Sequence, residues 1–417
     1  MNKAYLIGAF STRFAKRPDD SVKTLTREVL AGVLHDAGDL DSAALESCWF
    51  GNCGMWLDGQ GSIRGQVALS SLVSEGLFPE RVPVTNVEGG CASGSLALNG
   101  AWKDVLAGVA DISIAIGVEK TFYPGAPEKT QRLMEGGIDQ YNPEVWHQYY
   151  AAAGDVSGKP FQPGPDRTLF MDTYAMQAAY HMQRFGTTQA QMAVAAAKSH
   201  CNGALNPRAQ YQFEMTVAQV LEDREISHPL TRSMCAPVGD GAAAAIVVSE
   251  QAYRRLPPHV RERAVLILGC ALSGGKYRRL DEPGLSRVAA QKAYQQAGVG
   301  PCHIDVAEVH DATSFCEIYQ AEMLGFCEEG EGGAFIEQGH AHIGGQIPIN
   351  TSGGLVSKGH PVGATGLSMI AELTEQLRGE SGPRQVAGAH TALAENGGGA
   401  MGFDEAACSV VILQRAR

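Results

Sequence analysis

The chain has 417 residues, 44% hydrophobic and 19% charged, with a net charge of −12 at pH 7. That balance describes a globular chain with core enough for two domains or two halves of one body, and it excludes the basic face of a nucleic-acid binder. No apolar run approaches the roughly 20 residues of a membrane span, and Met1-Asn2-Lys3 opens no secretory signal.

The ten cysteines contain no C-x-x-C pair and no metal-site spacing, so they read as free thiols in a reducing, cytoplasmic setting with no bound metal. In chain order, residues 3–9 read as a short strand. Val22, Leu25, Val29, Leu30, Val33 and Leu34 predict a helix over 20–38. Helices follow over 64–75 and 93–108, with a strand from Val82 to Val87 between them. The apolar run from Asp111 to Val118 reads as a buried strand. Residues 120–168, rich in Gly, Pro and aromatics, read as an irregular cap over a pocket or a dimer-side loop. Helices return over 171–200 and 216–222, and Ala242 to Val248 is a second buried strand. The Pro257-Pro258 segment looks like a joint.

The second half restarts the order: strand 264–268, helix 284–297, strand 306–310, helix 363–378 and strand 408–413. The expected division is 1–258, with a loop or cap region at about 120–235, and 259–417. Each half sets a Gly-rich turn with a reactive side chain before a helix. Alternating strands and helices predict an α/β fold with layered packing.

The first such turn is Gly89-Gly90-Cys91-Ala92-Ser93-Gly94-Ser95. A thiol at a helix start is favoured as its anion, although an inert buried cysteine satisfies the same local pattern. The second is Lys358-Gly359-His360-Pro361, where imidazole can serve as base to a thiol and donor to an oxyanion. A surface loop histidine is the bland alternative. Third, Val309-His310-Asp311 ends a strand. There His310 can hold a water or a carbonyl, and Asp311 can orient a ring or cap the next helix.

Together with Gly117-Val118-Glu119-Lys120, Asp240-Gly241-Ala242 and Asn350-Thr351-Ser352-Gly353-Gly354, in this order, these stretches resemble the thiolases, in particular the sterol-carrier-protein type. The resemblance implies a five-layer αβαβα thiolase fold of two similar halves, as a homodimer or a dimer of dimers. It implies ping-pong cleavage of a 3-oxoacyl-CoA. His360 would deprotonate Cys91, and the Cys91 thiolate would attack the 3-oxo carbon. CoA, a co-substrate rather than a bound cofactor, would then take the acyl group. His360 and a water on His310 would hold the enolate oxygen. The N–H groups of Cys91 and Gly397 would hold the tetrahedral oxyanion.

Two positions depart from the family pattern. A second catalytic cysteine is expected either where Glu395 opens Glu395-Asn396-Gly397-Gly398-Gly399 or after His-Asp, where Ala312 stands. Either Glu395 takes the proton role, or Cys316 reaches in, or no second group is needed; a backbone-bonded structural carboxylate is the alternative for Glu395. For the CoA phosphate the resemblance points to Arg208, Arg224 and Arg232. Lys276, Arg278 and Arg279 form a second basic cluster, and a solvated surface is the competing reading for all six. The aromatic-rich excursion suits a bulky or aromatic acyl group. In one family member of that kind, benzoylsuccinyl-CoA thiolase, the catalytic subunit works with a small zinc-ribbon/OB-fold accessory protein. The alternatives are a condensing or retro-aldol enzyme on the same fold, and a non-catalytic acyl-CoA-binding subunit.

Overall fold

The computed structural model describes residues 2–164 and 166–416. Strand β1 (Ala4–Ser11) leads to helix α1 (Val22–Asp36), where the Ser21 and Thr24 side chains close a capping box. Strand β2 (Ser47–Gly51) is an element that the sequence pattern did not predict. Helix α2 (Arg64–Ser74), strand β3 (Val84–Val87), helix α3 (Ser93–Ala107) and strand β4 (Ile112–Glu119) follow close to their expected places.

The expected irregular excursion at 120–168 is corrected. It holds two helices, α4 (Pro127–Glu135) and α5 (Pro143–Ser157), each started by a proline in the first turn. The single helix expected over 171–200 is also corrected. It is two, α6 (Leu169–Phe185) and α7 (Gln189–Ala204), parted by the left-handed Gly186 and restarted by the Thr188 cap. Next come α8 (Val217–Glu222), a small hairpin of β5 (Glu225–Ser227) and β6 (Leu230–Thr231), and strand β7 (Gly241–Ser249). The segment expected as a joint holds two short helices, α9 (Glu250–Arg255) and α10 (Pro258–Arg263).

Strand β8 (Val265–Gly274), helix α11 (Leu285–Ala297) and strand β9 (Val306–Glu308) open the second half. Helices α12 (Ser314–Met323), α13 (Gly332–Glu337), α14 (Gly354–Lys358) and α15 (Thr365–Arg378) precede the last strands, β10 (Thr391–Gly398) and β11 (Ala407–Arg415). The Gly-rich run Glu395–Gly398, whose composition suits a turn, is therefore strand. Its register against Ala407–Val410 of β11 holds it extended despite its glycines.

Nine strands share one sheet in the order β3-β2-β4-β7-β1-β8-β11-β10-β9. In the first half β2 is parallel to β4, and β7 and β1 continue antiparallel. In the second half β9 is parallel to β10, and β11 and β8 continue antiparallel. The internal repeat is thus a repeat of strand directions, and β1 joins β8 across its centre.

Alternation along the strands sorts side chains into layers. Ile114, Ile116 and Val118 of β4 pack outward with α1 and α2, while Ala115 faces the middle. The middle core is built by α3 and α15 between the two halves of the sheet, and α11 and α12 cover the far side. Glycines close this middle seam. A β-carbon on Gly94 would lie 3.0 Å from Gly363 O, one on Gly117 2.2 Å from the same oxygen, and one on Gly366 2.1 Å from Ser95 Oγ. Among the described residues no helix is long and apolar enough to cross a membrane.

A fourth, aromatic cluster joins α5 to the C-terminal loop, with Trp146, Tyr150 and Phe403 at its centre. Tyr150 Oη donates to Gly402 O at 2.6 Å. Beneath it the Arg278 guanidinium donates to Asp404 at 2.9 Å, with only 2% and 5% of the two side chains exposed. Arg278→Met leaves that carboxylate buried without its cation. The expected cost is about 3–5 kcal/mol, read as a lower denaturation midpoint.

Candidate active site

Cys91 leaves β3 on a single tight helical turn, Gly90–Ala92, that runs into α3. Gly90 has φ of +57°, and a β-carbon there would strike Gly399 N at 2.5 Å, so glycine is required. Ser93 Oγ donates to Gly90 O at 2.7 Å and accepts from Gly89 N at 3.0 Å. Cys53, which the sequence reading passed over, adds its thiol to Gly90 O at 3.1 Å.

His360 lies between α14 and α15, with its Nε2 3.0 Å from Cys91 Sγ. Thr365 Oγ1 gives its own proton to Pro361 O at 3.1 Å, so it can only accept from His360 Nδ1, 2.8 Å away. That fixes the proton on Nδ1 and leaves Nε2 as the free base facing sulfur. His310 is the third member, its ring centroid 5.3 Å from that of His360. Its buried Nε2 has no partner among the described residues. The ligand-type atoms of Cys91, His310 and His360 all lie within 4.8 Å of one another, a convergence invisible in spacings of 219 and 50 residues.

Burial sets the protonation states. It pushes the Cys91 thiol up to about 12, with Glu119 and Glu405 adding to the rise. The lowering expected from a helix start is therefore outweighed. His310 is pushed down to about 4 by burial, and His360 well below the usual imidazole range by burial and by His310. The resting pair is neutral thiol and neutral imidazole.

The other motif residues are fasteners. Asp240 accepts from the backbone N–H groups of Arg17, Thr121 and Phe122 and from Lys120 Nζ. Glu119 accepts from Cys53 N, Gly54 N and Asn52 Nδ2, each at 2.9 Å. Asp311 accepts from Leu355 N at 2.6 Å, which ties the end of β9 to α14 and so to the turn bearing His360.

Two cavities meet at Cys91. One is walled by Cys91, His310, His360, Ala312, Tyr174 and Glu405, with Gly398 and Gly399 beside the nucleophile. Gly397, the expected oxyanion donor, is not on that wall. The other, about 320 Å³, runs past Trp56, Leu133, Met134 and Phe170.

Glu395 is fully buried, with its oxygens taken by His310 N at 3.0 Å and the Cys408 thiol at 3.4 Å. Its carboxyl is pushed up to about 8 by burial and by Glu405. Cys316 bonds Thr313 Oγ1 at 3.3 Å and faces a neighbouring cavity without Cys91.

Most of the basic residues are engaged with carboxylates. Arg208 is paired with Glu375, Arg232 with Asp223, Lys276 with Glu282 and Arg279 with Asp281. Arg224 stands exposed, and its backbone carbonyl accepts from Arg232 N.

The model of the thiolase N-terminal domain matches residues 4–233, and that described as thiolase C-terminal domain-like matches residues 283–415. Acetyl-CoA acetyltransferase from Methanothermobacter thermautotrophicus is 36% identical over 409 residues, which cover 96% of this chain and 98% of that protein. Sterol carrier protein 2 from Rattus norvegicus is 32% identical, over 98% of this chain and 73% of that protein. Benzoylsuccinyl-CoA thiolase subunit BbsB from Thauera aromatica is 28% identical, over 92% of this chain and 91% of that protein. A solved structure, Ltp2-ChsH2(DUF35) aldolase, shares the fold with a TM-score of 0.76 at 24% identity, over 100% of this chain and 98% of that one. With both family models in place and a relative above 30% identity along its length, the chain belongs to the thiolase family and is an acyltransferase.

Proposed function

We propose that the chain cleaves a 3-oxoacyl-CoA with CoA through a thioester on Cys91. The observation that carries this reading is His360 Nε2 at 3.0 Å from Cys91 Sγ, with its tautomer set by Thr365. His360 takes the thiol proton as sulfur attacks the 3-oxo carbon, and the C2–C3 bond breaks toward C2. His310, neutral and with an open Nε2, supports a water or a thioester oxygen where enolate charge develops. CoA enters as the second substrate and carries the acyl group away.

The acyl group is bulky or aromatic in this reading. The supporting feature is the roomy cavity past Trp56, Leu133, Met134 and Phe170, which opens at the same sulfur. The BbsB relative, by its name, belongs to an enzyme with a substrate of that kind. A homodimer accords with β3, a short strand at the edge of the sheet where a second copy would pair. A small accessory protein is included because that relative is called a subunit and the solved neighbour is named with a DUF35 component.

The experiment is intact-protein mass spectrometry after incubation with a panel of 3-oxoacyl-CoAs. The expected result is one acyl increment, located on Cys91, discharged by CoA, and largest for aromatic or branched acyl groups. An aldolase reading has the named solved neighbour in its favour. It would show itself as cleavage without CoA and without an adduct.

A further inference from the structure

Neither place expected to supply a second thiol holds one: residue 312 is alanine and residue 395 is glutamate. Glu395 points at the right strand face, but both its oxygens are engaged and it reaches no cavity wall with Cys91. Another carboxylate fills the space in front of it. Residues 395 and 397 of β10 face the same side, by the two-residue period of a strand. A β-carbon on Gly397 would come 2.4 Å from Glu405 Cγ and 3.0 Å from Glu405 Oε1. The Glu405 side chain thus lies across the bare Gly397, one same-face position along β10 from Glu395.

Glu405 is also on the wall of the cavity that contains Cys91, His310 and His360. It is held there by its neighbour. Asp404 is clamped by Arg278 at 2.9 Å and by Leu285 N at 3.1 Å, and Tyr150 pins the same loop through Gly402 O.

We propose that Glu405 is the catalytic acid/base that protonates and deprotonates C2 of the departing or attacking acyl-CoA, in place of the second thiol. This rests on the acyl-transfer reading above. In cleavage, sulfur of Cys91 bonds to C3 and the C2–C3 electron pair moves onto C2. The Glu405 carboxylic acid gives its proton to C2, which releases the shortened acyl-CoA. The resulting carboxylate takes the proton of the incoming CoA thiol, whose sulfur attacks the Cys91 thioester and frees the Cys91 sulfur. No oxidant or further reactant enters. Burial pushes the Glu405 carboxyl up to about 7, so both protonation states are populated near neutral pH.

The test uses the intact protein with Glu405→Gln and Glu405→Asp. Deuterium exchange at C2 of acetyl-CoA in D2O is measured beside acylation of Cys91 by an aryl thioester, whose thiolate leaves without a proton. The expected result is exchange slowed by about 100-fold or more in Glu405→Gln and partly restored in Glu405→Asp, with Cys91 acylation kept in both. Undiminished exchange in an acylation-competent Glu405→Gln enzyme overturns the proposal. So does loss of exchange in Glu395→Gln with exchange intact in Glu405→Gln. Absence of acylation in the unmodified enzyme as well overturns the acyl-transfer reading instead.

Discussion

Cys91→Ala is expected to lower turnover of a 3-oxoacyl-CoA by about 10⁴-fold or more, and to abolish the acyl increment in the intact mass. The variant keeps His360, His310 and the cavity, so substrate still binds beside a base with nothing to activate. Loss of a covalent nucleophile removes a whole route rather than a fraction of one. Serine does not rescue it, because a buried hydroxyl is far harder to ionise than a thiol already pushed up to about 12. The structural cost is small. The tight turn is held by Ser93 and Cys53 through Gly90 O, not by the Cys91 side chain. A thermal midpoint within a few degrees of the parent, together with vanished thiolysis, is the combination to look for. Turnover at more than about a tenth of the parent rate would remove Cys91 from the chemistry.

His360→Ala is expected to cost about 10³-fold in kcat/KM, within the usual range for a general base. The thiol is neutral at rest, and His360 is the base at hydrogen-bond distance from it. The pH dependence follows from the imidazole's shift. His360 lies well below 6.5, so it is unprotonated and competent as a base throughout the neutral range. It is lost as base only when pH falls through its own depressed value. The acid limb of Cys91 acylation is therefore expected well below pH 6.5, and an acid limb centred at 6.5 would contradict the lowering of His360. Thr365→Val acts through His360. It removes the acceptor that keeps the proton on Nδ1, and an intermediate fall of roughly 10- to 100-fold with little change in KM is expected.

Cys91 and His360 were legible because Gly and Pro flank them and mark turns before helices, and His310 because it ends an apolar strand. Strands β4 and β7 were legible for a related reason, since runs such as Ile112–Val118 and Ala242–Val248 suit only a buried strand. What escaped depends on partners remote in sequence. Glu395–Gly398 has the composition of a turn and becomes strand only because β11 lies alongside it. Arg208 reads as a free cation until Glu375 is found beside it. Glu405 sits in an unremarkable Asp-Glu-Ala-Ala run, and its place is set by Gly397 and by the buried Arg278–Asp404 pair. Helices α4 and α5 announced themselves by Pro127 and Pro143, but aromatic content masked the signal.

The sulfur and its base stand on opposite sides of the glycine seam between α3 and α15. Their separation is a stack height, set by close packing at Gly94, Gly117, Gly363 and Gly366, with backbone against backbone at Gly94 and Gly117. Bare backbone at contact distance has almost no compressible slack, unlike a layer of long side chains that can change rotamer. The S···N gap therefore behaves as a rigid spacing that neither mild heat nor pressure adjusts by degrees. It is kept while the two halves stay joined and lost when they part, so thermal inactivation is expected as a step coincident with their separation.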